Sequence, residues 1–458
     1  MLRGLQIIKK RHMRFSKLLL LMLLLSGMAS AQLKKWTLEE CVTYAVENNL
    51  TIAQYELDLE NAKIDKSDAV GNMLPDLNAQ LSASGNTGLI LDPTTNNLVS
   101  GTIFSAPGNI TSSLVLFDGL RNVHRLNRAK LNALANQYRL ENLVDDIRLN
   151  VANAYLLVLS NKESLKVFEA QYAVTEQDLK RMQQLVESGV NPRGDLLEIE
   201  ATAANQQQQI VNGRNAVLIS RINLAQLLQI TDYENFDIAD EEFNVPPADI
   251  LENSPKQIYE KALTFRKDIK FSMSNVELAR KDLEIAKGAS YPTLSAFINY
   301  NTRYSDQTRD PVTGEKIGFR EQLWLNDGIS YGAQLNVPIF NGWSTRNSIM
   351  RSQIDVTRAE LQLEQNKLDL ENNINQAYLD VLNNATAYEA AQKTLEARKL
   401  AFEYSRERYE VGLMNAFDFS QAQARVDNAE AEVIRTKYDY IFRIKVLEFY
   451  FGLPIVLN

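Results

Sequence analysis

The sequence predicts a mainly α chain with membrane β-structure, built as a duplicated unit of very long antiparallel helical hairpins plus four β-strands. Three observations predict it: a repeat at a fixed offset, two stretches of 69 residues free of Gly and Pro, and four segments of alternating polarity. The chain has 458 residues, 45% of them hydrophobic, which is enough for a large core. One cysteine, Cys41, excludes an intrachain disulfide, and two histidines, His12 and His124, make a Cys/His zinc site untenable. The formal charge of −8 comes with no basic arm, so nothing points to nucleic acid. No Gly-x-x-x-x-Gly-Lys-Ser/Thr loop is present, so nucleotide hydrolysis has no site, and no cofactor is expected.

Residues 1–31 read as a signal peptide. Arg11, Arg14 and Lys17 precede the apolar run Leu18 to Leu25, and Ala29-Ser30-Ala31 supplies an A-x-A-like cleavage site. Met13 to Ala31 alone makes a complete signal, and the run is too short to span a bilayer. The leader holds six basic and no acidic residues, which leaves the exported chain at −14.

The repeat divides the remainder into a first unit over 32–230, an acidic linker over 231–253 and a second unit over 254–458. Val151-Ala-Asn-Ala-Tyr-Leu-Leu-Val-Leu159 resembles Ile374-Asn-Gln-Ala-Tyr-Leu-Asp-Val-Leu382 at an offset of 223. The same offset relates Phe117-Asp118-Gly119 to Phe340-Asn341-Gly342, Glu187-Ser-Gly-Val190 to Glu410-Val-Gly-Leu413, and Asp195 to Asp418. Upstream, Leu74-Pro75-Asp-Leu77 matches Tyr291-Pro292-Thr-Leu294 at 217, so the second unit carries six extra residues in its hairpin. Two copies form a pseudo-twofold duplication and not a solenoid. The segment between them has eight acids, no bases and Pro246-Pro247, and reads as a linker or small irregular element.

Each unit starts with a helix and continues as a β-hairpin, over about 76–118 and 292–340, and a helical hairpin, over about 120–230 and 343–452. The long helices run from Leu120 to Ser188 and from Trp343 to Val411, each roughly 100 Å at 1.5 Å per residue. An ordinary globular helix has about 11–12 residues, so these are not core helices of a compact domain. Val151, Val158, Leu165, Tyr172, Leu179 and Val186 recur every seven residues, as do Ile374, Val381, Tyr388, Leu395, Phe402 and Tyr409. That period demands left-handed supercoiling against partner helices. The second seam, Ala154, Asn161, Phe168, Thr175 and Met182, is mixed and suits helices side by side in a ring. Gly189 and Gly412 fit helix C′ positions, and Asp195 and Asp418 fit N-caps of the return helices, which run to about Gln229 and Tyr450.

The strands alternate with period two. The last sets Ile329, Tyr331, Ala333, Leu335, Val337 and Ile339 against Ser330, Gly332, Gln334, Asn336 and Pro338. Its partner sets Ala296, Ile298, Tyr300, Thr302 and Tyr304 against Ser295, Phe297, Asn299, Asn301 and Arg303. In the first unit Leu77, Ala79, Leu81 and Ala83 alternate with polar residues, and a weaker strand spans Ile110 to Phe117. Polar loops, Asn86 to Pro107 and Ser305 to Asp327, join each pair. Lengths of about 9–12 residues suit tilted transmembrane strands. A transmembrane barrel needs at least about eight strands, so two copies would supply eight and three copies twelve.

Bland readings cover the remaining candidates. His124 lies among Arg121, Arg125 and Arg128 on a solvated helix face, Cys41 is a small apolar helix residue, and Gln206 to Gln209 are helix surface. Trp36, Trp324 and Trp343 are candidates for a membrane–water boundary, Trp343 foremost.

The duplicated order of these elements, the Leu-Pro-x-Leu strand start, the Phe-Asp/Asn-Gly turns and Arg408-Tyr409-Glu-Val411-Gly412…Asp418 together resemble TolC-type outer-membrane efflux proteins over roughly Trp36 to Pro454. The resemblance implies a homotrimer, with four strands per chain in one 12-stranded transmembrane β-barrel and the helical hairpins in a trimeric α-barrel projecting through the periplasm. It implies a Gram-negative outer membrane and its lipid, a periplasmic adaptor protein and an inner-membrane pump as partners, and no enzyme activity. It also implies a pore entrance or gate at the hairpin tips. Tyr409 and Asp418 match the tyrosine before and the aspartate after the copy-two glycine, and Asp195 matches the copy-one aspartate that bonds that tyrosine. The family's arginine two residues after that glycine is here Met414, and its second entrance aspartate is Gln421. Gly189, Val190, Gly412 and Leu413 form the tip turns that would meet the adaptor. A ring of Asp418 carboxylates would attract cations. The competing reading is a periplasmic or surface coiled-coil scaffold without a pore; the amphipathic strand pairs favour the channel.

Overall fold

The computed structural model describes residues 35–91, 96–241 and 243–454. The leader read over 1–31 and residues 92–95 of the polar loop Asn86 to Pro107 lie outside them. In chain order the elements are β1 (Lys35–Trp36), α1 (Leu38–Asn48), α2 (Leu50–Gly71), β2 (Asn78–Leu81), β3 (Ser84–Leu91), β4 (Leu98–Phe117), α3 (Arg121–Glu187) and α4 (Arg193–Leu227). There follow β5 (Asp237–Ile238), a 3-10 turn (Asp249–Glu252), α5 (Pro255–Phe265), α6 (Lys267–Gly288), β6 (Thr293–Ser305), α7 (Phe319–Leu325), β7 (Gly328–Asn336), α8 (Ser344–Glu410) and α9 (Ala416–Phe451). The fold is mostly helical, and α3 and α8 are each unbroken over 67 residues, as the absence of Gly and Pro predicts. Among the described residues no helix is long and apolar enough to cross a membrane. The chain forms two compact units, each drawing on both repeats: one holds Leu50–Val144 and Lys256–Ile374, the other the described residues up to Asn49 with Asp145–Pro255 and Asn375–Asn458.

The compact unit of Leu50–Val144 and Lys256–Ile374 holds an antiparallel sheet in the order β2-β4-β6-β7, with β3 also paired to β4. Register decides its chemistry. One row across the sheet reads Ala79, Ile110, Tyr300, Ile329, and the next reads Asn78, Thr111, Asn299, Ser330. Continued along the strands, Ala296 with Ala333 and Ile298 with Tyr331 join the first set, so the sheet has one apolar and one polar face. On the polar face the Thr111 hydroxyl donates to Asn299 Oδ1 at 2.8 Å. A one-residue slip would exchange the faces. The sheet is open, ending at β2 and β3 on one side and β7 on the other.

Three strand boundaries differ from expectation. The span Asn86 to Pro107 is not a loop: β3 and β4 run through most of it as a paired ribbon. Its apolar residues come as neighbours, Leu89-Ile90-Leu91, Leu98-Val99 and Ile103-Phe104, so no period-two alternation reveals it, and side-chain pairs Thr87–Thr102 (2.9 Å) and Ser84–Ser105 (3.3 Å) reinforce the ladder. The first strand breaks between β2 and β3, and the last stops at Asn336 because Pro338 cannot continue the ladder. The loop Ser305 to Asp327 contains α7, anchored by the fully buried Gln322, whose Nε2 donates to Ser305 O (2.9 Å) and Ile317 O (2.8 Å).

The strand-to-helix turns repeat in backbone geometry. Gly119 (φ 71°) and Leu120 (φ 63°) are both left-handed, as are Gly342 (φ 62°) and Trp343 (φ 67°). Asp118 Oδ2 accepts from Asn122 N at 3.0 Å and caps α3. His124 sits half-buried with Nδ1 2.9 Å from Glu284 of α6.

The compact unit that contains Asp145–Pro255 has a core of Leu38, Cys41, Val151, Tyr155, Val158, Leu224, Ile238 and Ile441, among others. Of the two readings of the acidic segment, the small irregular element describes it: Phe236, Ile238, Phe243 and Ile250 are buried in this core, and β5 pairs in parallel with β1. Lys162 joins it with Nζ 2.7 Å from Asp237 and 3.2 Å from Asp240. Trp36 packs edge-on against Tyr44 at 5.0 Å within this core, which removes it from any membrane boundary.

The two turns predict a contrast. A Cβ on Gly119 would lie 2.3 Å from Gly288 O, whereas one on Gly342 meets open space. Gly119→Ala should cost roughly 2–4 kcal/mol through strain plus a backbone clash, and Gly342→Ala only about 1 kcal/mol of strain. Unfolding in detergent measures both; equal losses would contradict the packed turn.

Candidate functional site at the hairpin tips

The tips of the two helical hairpins belong to one unit and share a backbone design. In the first, Gly189 (φ 76°) ends α3, its N–H donating to Val186 O at 3.0 Å and that of Val190 to Leu185 O at 2.9 Å. In the second, Gly412 (φ 75°) ends α8, with Gly412 N to Tyr409 O at 3.0 Å and Leu413 N to Arg408 O at 2.8 Å. Both are Schellman caps, in which the left-handed C′ glycine lets two orphan carbonyls be satisfied. The next residues, Val190 and Leu413, are 69% and 70% exposed, so each tip carries an apolar knob.

The aspartates are not N-caps. Pro192 occupies that place for α4 without a side-chain bond, and Asp195 lies in the first turn, its Oδ2 accepting from Asn191 Nδ2 at 3.4 Å. Asn415 caps α9: its Oδ1 accepts from Asp418 N at 2.8 Å, and its Nδ2 donates to Asp418 Oδ2 at 3.0 Å. This reciprocal cap holds Asp418 at the third helical position, exposed, where the helix dipole favours a negative charge. Gln421, one turn on, is exposed and accepts from Arg425 Nη2 at 2.9 Å.

Between the tips lies a cavity of about 300 Å³ lined by Asp178, Arg181, Asp195, Arg406, Tyr409, Glu410, Met414 and Phe419, among others. Tyr409 does not bond Asp195 as the family pattern implies; its hydroxyl is buried without a hydrogen-bond partner. Burial, then the nearby Asp195 and Asp178 charges, push the phenol pKa up, against the pull of Arg181. The ring is held by stacking instead, 4.5 Å from Phe419 at 8° between planes, and Phe419 in turn stacks on Phe402 at 5.4 Å. Burial also pushes Asp178 up, opposed by Arg406 and Arg181. Arg406 pairs with Glu410 at 3.2 Å.

Farther along α9, polar side chains bridge it to the helices of the first repeat. Gln423 donates to Thr175 at 3.1 Å, Gln171 to Glu430 at 3.0 Å, and Gln206 to Asp427 at 2.9 Å; Tyr438 donates to Glu163. Thr175 is thus a seam residue whose polarity is spent across helices. Gln206 is buried and not helix surface as expected. Asp427 is buried too, and burial raises its carboxyl to about 6, opposed by the Gln206 bond. Sequence reading missed Phe419, Asp178 and Asp427. The repeat places Ala204 opposite Asp427, so the duplication holds no signal for it. Among the described residues no cluster of His, Cys, Asp or Glu could hold a metal ion.

Asp427 generates a signed pH prediction. A carboxyl whose folded-state pKa is raised to about 6 gives its full stability below the unfolded value of 3.8 and loses it as pH rises through 6. Asp427→Asn removes that loss and can donate to the unpaired Gln206 Oε1. It should therefore stabilise the protein by about 2–3 kcal/mol at pH 8 and little at pH 4. Unfolding at both pH values checks this, and an equal gain at both would contradict it.

The comparisons fit this architecture. A family model described as outer membrane efflux protein matches residues 42–228 and 258–452. The outer membrane protein TolC of Vibrio cholerae is 23% identical over 299 residues, 65% of this chain and 65% of that protein. The alkaline protease secretion protein AprF of Pseudomonas aeruginosa is 21% identical over 332 residues, 72% of this chain and 66% of that protein, so the chain spans just under two thirds of the length of these relatives. The CmeC outer membrane channel of Campylobacter jejuni has the same fold, with TM-score 0.77 at 18% identity, covering 91% of this chain and 85% of that one. With both repeats matched in order, the chain belongs to the outer membrane efflux protein family, whose members are outer-membrane channels and not enzymes.

Proposed function

We propose that the chain is the outer-membrane exit channel of a tripartite efflux or type I secretion system, gated at its hairpin tips. The observation that carries this is the sheet register: one continuous apolar face and one polar face on a sheet that ends in two open edges. In lipid every backbone polar group needs a partner, so such a sheet must close with copies of itself. Three copies give a 12-stranded barrel, wide enough for a polar lumen. The long helices then line a periplasmic tube in which their seven-residue seams pack against neighbours. Energy comes from an inner-membrane pump reached through a periplasmic adaptor, and Val190 and Leu413 beside Gly189 and Gly412 are the apolar knobs an adaptor would grip.

In this reading the tips form the entrance. Three exposed Asp418 carboxylates around a threefold axis concentrate negative charge and draw cations, while Gln421, tied to Arg425, adds none. The closed tip is held by the Phe402–Phe419–Tyr409 stack and not by a Tyr409–Asp195 bond, with Met414 in place of the family's arginine.

Single-channel recording in planar bilayers tests the entrance. Asp418→Ala should lower cation over anion selectivity several-fold, and unchanged selectivity rejects the ring. Phe419→Ala should raise the open fraction of the channel by an order of magnitude, whereas Tyr409→Phe, which keeps the stack and removes an unpaired hydroxyl, should behave as wild type. The opposite ranking would restore the hydrogen-bonded lock.

A further inference from the structure

Helix α7 has no part in the channel reading. It lies between β6 and β7, at the hairpin end away from the joins to α3, α6 and α8. Four contacts fasten it to β6 and its surroundings. The Thr302 hydroxyl donates to Leu323 O at 2.8 Å, and Asn326 Nδ2 donates to Arg303 O at 2.8 Å. Gln322, fully buried, accepts from Ser305 N at 2.9 Å, and Phe319 packs edge-on against Tyr304 at 5.1 Å. Thr302 and Tyr304 alternate with Ile298 and Tyr300, so they lie on the apolar face. The helix is therefore clamped onto the end of that face by polar bonds, of which the Ser305–Gln322 bond is buried.

Beside the exposed Arg320 and Glu321, α7 turns large apolar side chains outward. Trp324 is 71% exposed, Leu325 62% and Phe319 56%. A rigidly held segment that shows three large apolar side chains marks a contact surface. At the other end of β7 stand Phe340 and Trp343, edge to face with ring centroids 5.9 Å apart, and Trp343 is also exposed. The apolar series Ile329, Tyr331, Ala333, Leu335 is thus bracketed by tryptophan at both ends, the arrangement of side chains at two membrane–water boundaries.

We infer that α7 is an interfacial foot that seats Trp324, Leu325 and Phe319 at the boundary between headgroups and acyl chains of the outer leaflet. The inference rests on the reading that the sheet crosses the membrane. A neighbouring copy is a poorer occupant. Copies join in the plane of the sheet, through the edges at β2, β3 and β7, whereas α7 stands on the face of β6, an interior strand.

Tryptophan quenching tests this, because the chain has only three tryptophans. Trp36→Phe with Trp343→Phe leaves Trp324, and Trp36→Phe with Trp324→Phe leaves Trp343. Each full-length protein is reconstituted in phosphatidylcholine vesicles with or without bromine at a shallow acyl position. Shallow bromines should reduce Trp324 emission at least twofold and iodide should quench it weakly. Strong iodide quenching without bromine quenching places α7 in water and overturns the inference; quenching by neither places it against protein and overturns it equally. If Trp343 is bromine-quenched and Trp324 is not, the channel reading stands and only the foot falls; if neither is quenched, the membrane reading falls with it. Should the tryptophan variants fail to fold, Leu325→Cys carrying an environment-sensitive fluorophore reads the same boundary, since Cys41 is buried. A blue shift on reconstitution supports the foot, and a water-like emission maximum overturns it.

Discussion

Backbone pairing governs this molecule. A strand in lipid cannot leave N–H and C=O groups without partners, because each orphan costs several kcal/mol and no water is at hand. The register fixes an apolar face from Ala79 across to Ile329, yet β2, β3 and β7 still present open edges. Apolar face and open edge can coexist in a bilayer only if other chains complete the wall. A wall completed by further copies and a polar lumen inside it follow from that demand, and in the proposed channel three copies meet it.

The tips answer a different demand. In the proposed channel the duct stays shut without a partner and opens with one, which calls for contacts of moderate strength. The second tip uses aromatic stacking around Phe419 in place of charged locks, while the bonds from α9 to the first repeat, Gln206 to Asp427 among them, are buried and polar. Stacked rings can slide with little directional penalty, whereas a buried carboxylate ties hairpin stability to protonation. The two layers give the tip region a loose end and a titratable middle.

Much of this was legible in the sequence for definite reasons. The long helices showed because Gly and Pro are absent across both windows, and the Schellman glycines because only their position ends those windows. The strands showed where one face is apolar, as at Ile329 to Leu335, and vanished where apolar residues stand side by side without alternation, as at Leu89-Ile90-Leu91 and Ile103-Phe104. The acidic segment read as a linker or small irregular element, and its eight acids hid Phe236, Ile238 and Phe243, which the core buries. At the tips, composition pointed to Asp195 and Asp418, but the caps are Pro192 and Asn415, a shift of three residues that turn chemistry alone does not fix. Asp427 and Gln206 stayed invisible because a buried polar pair between distant helices leaves no periodic trace.

Native mass spectrometry of the detergent-extracted, full-length mature protein tests the central claim most directly. The account predicts a complex of three chains that survives removal of the detergent micelle. A monomer as the sole species would contradict it, since a single open sheet cannot seal a wall in lipid.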